Sequence, residues 1–282
     1  MKENTDTFKV SAMCRALSVS RSGYYHWCCR PPSQRCQDDQ VLAAQIKGHF
    51  DDNRQVYGTR RLKACLAEAG EQVSRRRIGR LLAEQGLQVK TKRKLKPTTD
   101  ANHGLAVAEN VLDREFEVAE PDTAYVGDIT YIWTAEGWLY LAVVIDLFSR
   151  AVVGWSMSQR LKAPLVTAAL QMAIEQRRPP PGLIVHTDRG SQYVAESYQR
   201  RLNQQQYIPS MSRKANCWDN AVAESFFHTL KTECLYLEDL QTRDQACDVV
   251  FDYVEVFYNR QRRHSANDYL APLVYEQTQK AA

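Results

Sequence analysis

Three closely spaced stretches with strand character constrain the fold more than any other feature of the sequence. Val126 to Ile132 alternates between side chains of apolar and polar type, as a half-buried strand does. Glu136-Gly137 then indicates a turn. Leu139 to Ile145 is a nearly continuous apolar run, which is typical of a strand in the middle of a sheet. Ala151 to Met157 predicts a third strand, so one sheet should form from these consecutive segments.

Helical and strand patterns alternate after the third strand. Lys162 to Gln176 has helical periodicity and stops before three consecutive prolines, and a short apolar strand, Leu183 to Val185, leads into His186-Thr187-Asp188. The remaining predicted elements are a helix over Ser191–Gln205, a strand over Tyr207–Met211, a helix over Asp219–Leu235 and a long helix from Thr242 to about Arg262. This order predicts an α/β fold, in which helices cover both faces of a mixed sheet.

The first third of the chain predicts a helix-turn-helix. Thr59 to Ala69 is a predicted helix with Thr59 as N-cap and with Leu62, Leu66 and Ala69 along its apolar stripe, and Gly70 ends it. Ser74 caps a second helix that runs through Glu84, with Ile78, Leu81 and Leu82 facing inward. An earlier stretch, Cys14 to Trp27, predicts a further short helix, with a turn at Ser20 to Gly23. The second helix of the pair carries the cations expected of a recognition helix, namely Arg75, Arg76, Arg77 and Arg80. The alternative is a solvated basic face on an ordinary helical hairpin.

Charge is distributed unevenly along the chain. The net charge of +4 combines +11 over residues 1–98 (20 Lys and Arg, 9 Asp and Glu) with −7 over residues 99–282 (17 and 24). Five cations lie between positions 90 and 96, and they suit a linker that follows a phosphate backbone: Lys90, Lys92, Arg93, Lys94 and Lys96. A charged linker that only keeps the protein soluble is the alternative. We therefore expect a basic helical DNA-binding region over 1–98, a linker over 99–121 and a second domain over 122–282.

The cysteines, the N-terminal residues and the lack of a long apolar run favour a reduced, cytoplasmic protein. The eight cysteines include no Cys-x-x-Cys pair, and the chain is too long for a small disulfide scaffold, so we expect free, mostly buried thiols. A zinc site from His26, Cys28, Cys36 and His49 is the alternative, although its spacing matches no common zinc finger. Residues 1–9 are polar and unlike a secretory signal, and no apolar run is long enough to cross a membrane.

Three acids stand where strands or helices could bring them together. Asp128 lies inside the first strand, Asp188 follows the fourth, and Glu224 lies early in the helix that begins near Asp219. Converging carboxylates repel one another unless cations neutralise them, and an oxygen-only site suits Mg²⁺ or Mn²⁺. Two such ions can activate a water or a 3′-hydroxyl and stabilise the leaving oxygen of a phosphodiester. Taken singly, each acid could equally be a turn former, a strand-edge charge or a solvated helix residue.

Two neighbours of Glu224 and one further acid complete the candidates. Lys231 is two helical turns beyond Glu224 and His228 is one turn beyond it, so all three share a helix face. A cation at Lys231 would suit a phosphate held beside the acids. Asp146, at the end of the second strand, is an alternative candidate for the metal site. The residue pattern alone does not exclude it.

The spacing of the acids resembles a known signature. Asp128 and Asp188 are 60 positions apart, 35 residues separate Asp188 from Glu224, and Lys231 follows seven positions later. This is similar to the D-D-35-E signature of retroviral integrases and bacterial insertion-sequence transposases. The surrounding residues closely resemble OrfB-type transposases of the insertion-sequence-three family over nearly the whole chain: 128–131 (DITY), 186–193 (HTDRGSQY), 212–214 (SRK), 217–221 (CWDNA), 224–227 (ESFF), 230–231 (LK), 258–260 (YNR) and 263–265 (RHS).

The resemblance implies both a fold and a reaction. The fold would be a ribonuclease-H-like core, in which Asp128, Asp188 and Glu224 are the catalytic residues and the ligands of two Mg²⁺ or Mn²⁺ ions. The reaction would be cleavage of DNA at the ends of the element, followed by strand transfer. It further implies oligomers on DNA, action in the bacterial cytoplasm and fusion, by ribosomal frameshifting, to an upstream OrfA product that carries its own helix-turn-helix and a coiled coil. This chain shows no sustained heptads, so it resembles the catalytic half alone, and the His-His-Cys-Cys domain of integrases is likewise absent. Two rival functions remain at this point, a nuclease that does not join DNA and a non-catalytic DNA-binding regulator.

Overall fold

A computed structural model describes residues 1–90, 108–213 and 217–281. Five α-helices fill the first range, and they are α1 (Val10–Ala16), α2 (Arg21–Cys29), α3 (Gln34–Asp52), α4 (Thr59–Glu68) and α5 (Arg75–Glu84). The later ranges contain β1 (Ala124–Thr134), β2 (Gly137–Asp146), β3 (Val152–Ser158), α6 (Ala163–Arg177), β4 (Ile184–Thr187), α7 (Glu196–Gln204), β5 (Ile208–Met211), α8 (Ala221–Glu233), α9 (Arg243–Phe251) and α10 (Pro272–Ala281). A π-helical segment, Asp252–Tyr258, continues α9.

The strands form one mixed sheet in the order β3-β2-β1-β4-β5. β1, β2 and β3 are antiparallel neighbours, whereas β4 pairs parallel to β1 and β5 parallel to β4. The turn from β1 to β2 has two residues, and Gly137, at φ +106°, takes a conformation that side chains disfavour. The sequence prediction of an α/β fold with a mixed sheet is confirmed.

Apolar residues pack on both faces of this sheet. Val126, Ile132 and Leu141 belong to the apolar cluster on the side of α8 and α9, whereas Ala142 and Val144 face α6, and α7 packs beside α6 against β5. β3 and α6 approach so closely that a Cβ at Gly154 would lie 2.2 Å from the carbonyl oxygen of Ala169. Helices therefore cover both faces, as the element order predicted.

The predicted helix-turn-helix is present as α4 and α5. The Ser74 hydroxyl accepts a hydrogen bond from the Arg77 amide (3.3 Å) and so caps α5 as predicted. Thr59 is the first helical residue of α4 instead of its cap, which is Gly58. Ala69 lies past the end of α4 and is exposed, so its place in the apolar stripe was wrong.

The predictions near the N-terminus and before α7 need correction. Instead of one helix, the Cys14 to Trp27 stretch belongs to two, and Ser20 is the N-cap of α2, with its hydroxyl accepting from the Gly23 amide (3.0 Å). The supposed turn is thus the start of a helix. α7 begins at Glu196 and not at Ser191, because a turn that bonds the Tyr193 amide to the Gly190 carbonyl precedes it.

The helical N-terminal region contacts the end of the chain. The Tyr57 hydroxyl donates to the carbonyl of Gln261 (3.2 Å) and accepts from the Arg263 amide (2.7 Å). Arg61 of α4 lies 3.1 Å from the Glu233 carboxylate at the end of α8. These bonds join the predicted helix-turn-helix to the elements that follow the sheet.

None of the helices in the three described ranges combines the length and the apolar character needed to cross a bilayer.

Candidate active site

The parallel pairing of β1 and β4 places two of the predicted acids side by side. Gly127 pairs with Thr187 in the last position of this ladder. Asp128 is the next residue of β1 and Asp188 is the first residue after β4, and neighbouring strands lie about 4.8 Å apart. Both side chains are partly exposed where β4 ends.

Helix α8 brings the third acid to the same edge. Its N-cap, Asn220, donates a hydrogen bond from Nδ2 to the carbonyl of Gly127 (3.4 Å), which precedes Asp128. Ala223 and Phe226 are buried against the sheet, so Glu224, between them, is exposed. Lys231 lies two turns further along α8, and His228, between the two, is exposed.

The charges of these side chains act on one another. Burial and the negative charges of Asp188 and Glu224 raise the pKa of Asp128 well above its ordinary value. The Ile129 amide, 2.8 Å from Asp128 Oδ1, opposes that shift. Burial lowers the pKa of Lys231, and the Asp128 carboxylate opposes this change. The four predicted residues therefore share one electrostatic environment.

Three carboxylates form a donor set that suits a hard divalent cation. Nowhere in the described ranges are three His, Cys, Asp or Glu side chains gathered closely enough to hold a metal ion. Two of the acids accept hydrogen bonds from backbone amides: Asp128 Oδ1 accepts from the Ile129 amide, and Asp188 Oδ1 accepts from the Gly190 amide (2.9 Å). After burial, the negative charges of Asp188 and Glu224 are what raises the pKa of Asp128, and a divalent cation would remove this repulsion. The donor set therefore fits such an ion.

Two buried polar atoms that sequence reasoning overlooked border the acids. Among the described residues, neither Tyr193 Oη nor Asn220 Oδ1 has a hydrogen-bond partner, although both are buried. Burial, Asp128 and Asp188 raise the pKa of Tyr193 well above its ordinary value. Both residues lie within motifs that carry the family resemblance, which was the available signal for them.

A chain of hydrogen bonds fixes the end of β4 beside Asp188. The Ser210 hydroxyl accepts from the amides of Val111 (3.0 Å) and Leu112 (3.1 Å), so its proton is donated to His186 Nδ1 (2.9 Å). His186 Nε2 then carries the ring proton and donates it to the Ser212 hydroxyl (3.1 Å). Burial lowers the pKa of His186 to about 4, which is consistent with a neutral ring at pH 7.

A buried carboxylate fixes the segment that leads into α8. Asp219 accepts hydrogen bonds from the Arg213 side chain (2.9 and 3.0 Å), from Arg114 Nε (2.8 Å) and from Asn110 Nδ2 (3.2 Å). The bonds from Arg213 hold the pKa of Asp219 below its ordinary range. Asp219 is therefore a structural anion, and residues of the predicted linker help to bind it.

Asp146, the competing acid in the sequence, also has a structural role. It is fully buried and accepts hydrogen bonds from the amides of Phe148 (3.0 Å) and Asp122 (3.3 Å) and from Arg177 (3.3 Å). Burial raises its pKa to about 7. Its pairing with Tyr125 places it toward the start of β1, away from the end of β4 where Asp188 lies.

The predicted DNA-contacting arginines of α5 differ in their surroundings. Arg75 and Arg76 are exposed. Arg77 Nε and Arg80 Nη2 lie 2.7 and 2.6 Å from the carboxylate of Asp39 on α3, so part of their charge is neutralised. Lys90 is exposed, whereas the predicted contacts at Lys92, Arg93, Lys94 and Lys96 lie outside the described residues.

The cysteines are free thiols where the structure describes them. Cys14 and Cys65 are buried as predicted, whereas Cys28, Cys29 and Cys36 are exposed. The alternative zinc site is not formed, because within the described ranges His26, Cys28, Cys36 and His49 belong to no group that could hold a metal ion.

Three family models match this chain. An integrase core domain matches residues 118–217, a second integrase core domain model matches 224–279, and an HTH-like domain matches 37–94. Transposase InsF for insertion sequence IS3A of Escherichia coli (strain K12) is 46% identical over 271 residues, which cover 95% of this chain and 94% of that protein. The insertion element IS600 uncharacterized 31 kDa protein of Shigella sonnei is 46% identical over 265 residues, 94% of this chain and 97% of that protein.

Solved structures give more distant matches. A chain of the simian T-cell lymphotropic virus intasome, in complex with a PP2A regulatory subunit, is 15% identical with a TM-score of 0.49, covering 82% of this chain and 74% of that one. The HTLV-2 integrase catalytic core domain in complex with magnesium is 18% identical with a TM-score of 0.44, covering 56% of this chain and 97% of that one.

Proposed function

Because this chain belongs to the family of insertion-sequence transposases that includes InsF of IS3, we propose that Asp128, Asp188 and Glu224 catalyse DNA cleavage and strand transfer at the ends of its element. The observation that carries the assignment is the register of β1 and β4. It brings Asp128 beside Asp188, while Asn220 anchors the helix that carries Glu224 against the same strand. The negative charges of Asp188 and Glu224 both act on Asp128, which supports a single site for the three acids.

The same three carboxylates would hold divalent cations. Oxygen ligands favour Mg²⁺ or Mn²⁺, and two such ions would supply an activated water or 3′-hydroxyl and stabilise the leaving oxygen. The protein's own contribution is to hold the acids in fixed positions. The amides of Ile129 and Gly190 orient two of them, and the buried face of α8 positions the third.

Lys231 would bind a phosphate close to the cleaved bond. It lies on the Glu224 face of α8 and is close enough to Asp128 for the carboxylate to influence its pKa. Partial burial strengthens the attraction between its ammonium group and a phosphate, because less water screens the two charges. Arg75, Arg76 and Lys90 are exposed, and with the other cations predicted from the sequence they would bind the DNA backbone away from the acids.

The remaining expectations concern how the protein works with other chains. We infer that it acts as an oligomer on DNA in the bacterial cytoplasm, fused to an OrfA-type product that is translated from the preceding frame. The family to which the chain belongs supports these inferences. Pull-down of the OrfA product and the mass of the DNA complex in solution would test them.

Replacing Asp188 by Asn tests the catalytic assignment. The amide has nearly the same shape, and its oxygen can still accept the bond from Gly190, so folding and DNA binding should persist. Joining of a pre-cleaved element end to target DNA, in the presence of Mg²⁺, should fall at least a thousandfold, of the order expected when a catalytic unit loses one member. Asp239→Asn, at an exposed carboxylate between α8 and α9, is the matched control and should join DNA at the wild-type rate.

The products of this assay also decide between the functions. Wild-type protein that degrades the DNA in the presence of Mg²⁺ but yields no joined product from the pre-cleaved end would be a nuclease of the rival kind. Protein that binds DNA without metal-dependent products would be a regulator. Mg²⁺-dependent joining retained by Asp188→Asn would refute the site assignment.

A further inference from the structure

Four aromatic side chains lie together on the β1–β2 hairpin, outside the group of acids. In the strand register, Tyr131 is opposite Tyr140 and Trp133 is opposite Trp138. The ring centroids are 5.2 Å apart for Tyr131 and Tyr140, 4.9 Å for Trp133 and Trp138, and 6.1 Å for Tyr131 and Trp138. All three pairs meet edge to face. We call these four residues the aromatic platform.

The aromatic platform is open to solvent, although the opposite face of the hairpin is buried. The exposed fractions are 61% for Trp133, 48% for Trp138 and 43% for Tyr131. Ile132 and Leu139, on the other face of the same strands, belong to the core. Large apolar side chains grouped in this way on a protein surface indicate a binding site.

Hydrogen bonds to α9 and to the segment before it hold the hairpin that carries the platform. Arg243 at the start of α9 donates hydrogen bonds to the carbonyls of Glu136 (2.7 Å) and Trp138 (3.3 Å). The Ala135 amide donates to the carbonyl of Leu240 (3.0 Å). The platform therefore needs little ordering when a ligand binds, which favours affinity.

Position and charge indicate the chemistry of that ligand. Tyr131 is three residues beyond Asp128 on β1, about 10 Å along the strand, and its side chain leaves the opposite face of the sheet. Because β4 pairs with β1 only up to Gly127, a DNA strand can cross the remaining edge of β1 from the acids to the platform. Ser158, at the end of β3, pairs with Tyr140, and Arg160 and Lys162 follow directly. Both cations are exposed, and neither makes an ion pair with any residue in the described ranges. Aromatic rings beside free cations are the combination that binds single-stranded nucleic acid, whose bases stack and whose phosphates pair.

We propose that the aromatic platform binds unpaired bases of the DNA strand that passes the acids, while Arg160 and Lys162 contact its phosphates. Edge-to-face packing leaves ring faces open to a base. A base inside a duplex already stacks on its neighbours, so the platform selects nucleotides that have left the helix. The identity of the strand depends on the function proposed above, whereas the preference for unpaired bases does not depend on catalysis.

Binding measurements without catalysis test this proposal. Full-length Asp188→Asn protein in EDTA would be titrated, by fluorescence anisotropy, against an element-end duplex with four unpaired terminal nucleotides and against the same end fully paired. Adding Trp133→Ala and Trp138→Ala together should weaken binding of the unpaired end roughly tenfold or more, given the usual loss per stacked base. Binding of the paired end should change less than about twofold. A variant with Trp133→Phe in place of Trp133→Ala retains a ring at this position and should recover most of the affinity for the unpaired end.

A tryptophan elsewhere provides the matched control. Trp27 on α2 is 62% exposed, about the same as Trp133, and Trp27→Ala should leave the difference in affinity between the two DNA ends unchanged. Equal weakening on both ends, or none, would overturn the proposal. A change in mass by sedimentation without a change in DNA binding would also overturn it and would indicate contact with a second copy. Because these titrations need no turnover, failure of the catalytic assignment would leave their outcome interpretable.

Discussion

Removing the carboxylate of Glu233 should destabilise the protein strongly. Glu233 accepts hydrogen bonds from Arg262 (2.7 and 2.8 Å), Arg61 (3.1 Å) and the Tyr253 hydroxyl (3.0 Å). Arg262 is itself only 4% exposed, so Glu233→Ala removes the carboxylate that neutralises a buried guanidinium. Loss of one member of a buried ion pair costs about 3–5 kcal/mol. At roughly 2–4 °C per kcal/mol for proteins near this size, the melting temperature should fall by about 10 °C.

A surface pair in the same region gives the control. Arg54 and Asp252 are 2.7 Å apart, but more than half of the Asp252 side chain is exposed. Exposed pairs contribute at most about 1 kcal/mol, so Asp252→Ala should shift the melting temperature by only a few degrees. Calorimetry of the three proteins in one buffer measures the difference. A loss of less than about 1 kcal/mol for Glu233→Ala would refute the argument that this buried network stabilises the fold.

The same network predicts the direction of a pH dependence. Burial raises the pKa of Glu233, but the bonds from Arg262, Arg61 and Tyr253 outweigh burial and hold the pKa below its ordinary value. A carboxyl with a lowered folded-state pKa stabilises the protein above its unfolded pKa of about 4.3, and that stabilisation is lost as the pH falls through the folded-state value. The difference in melting temperature between wild type and Glu233→Ala should therefore be full at pH 7 and should shrink as the pH falls below about 4.

Two further predictions concern packing and DNA contact. Gly154→Ala should destabilise the fold by about 1–3 kcal/mol because its Cβ would lie 2.2 Å from the Ala169 carbonyl oxygen, whereas Gly48→Ala, which meets nothing within 4 Å in α3, should leave the melting temperature equal or higher. Calorimetry compares the two, and equal shifts would contradict the close packing of β3 on α6. Replacing Arg75 and Arg76 together by Ala should weaken DNA binding without altering sequence preference and reduce the slope of log affinity against log salt by about 2, or 1 per phosphate contact. An unchanged slope would show that these arginines do not contact phosphates.

The sheet could be predicted from the sequence because its strands carry their signal locally. Alternation in β1 and the apolar run in β2 follow from burial of one or both faces. The start of α2 was missed because Ser20 and Gly23 are typical of turns, yet here the Ser20 hydroxyl caps a helix. Capping and turn residues are the same residue types, so local composition does not separate the two structures.

The site could be predicted only in part, because much of it depends on contacts distant in sequence. The resemblance identified Asp128, Asp188 and Glu224, but the register that sets the first two side by side joins strands about sixty residues apart. The ion pairs from Arg77 and Arg80 to the carboxylate of Asp39 span 38 and 41 positions. Within α5, the i,i+4 spacing from Arg80 to Glu84 indicates one acidic partner of Arg80. No local pattern indicates that Arg77 and Arg80 also share Asp39.

Helix α8 connects the acidic second part of the chain with its basic N-terminal region. Glu224 near its start lies among the acids, and Glu233 at its end binds Arg61 of the basic N-terminal region. Nine residues of α-helix separate the two carboxylates by about 13.5 Å along the axis. Phe226 and Leu230 pack the intervening turns into the core, so one firmly packed helix carries both Glu224 and the carboxylate that binds Arg61. The acidic half of the chain thus contributes both the proposed cation site and a carboxylate that binds Arg61 of the basic half.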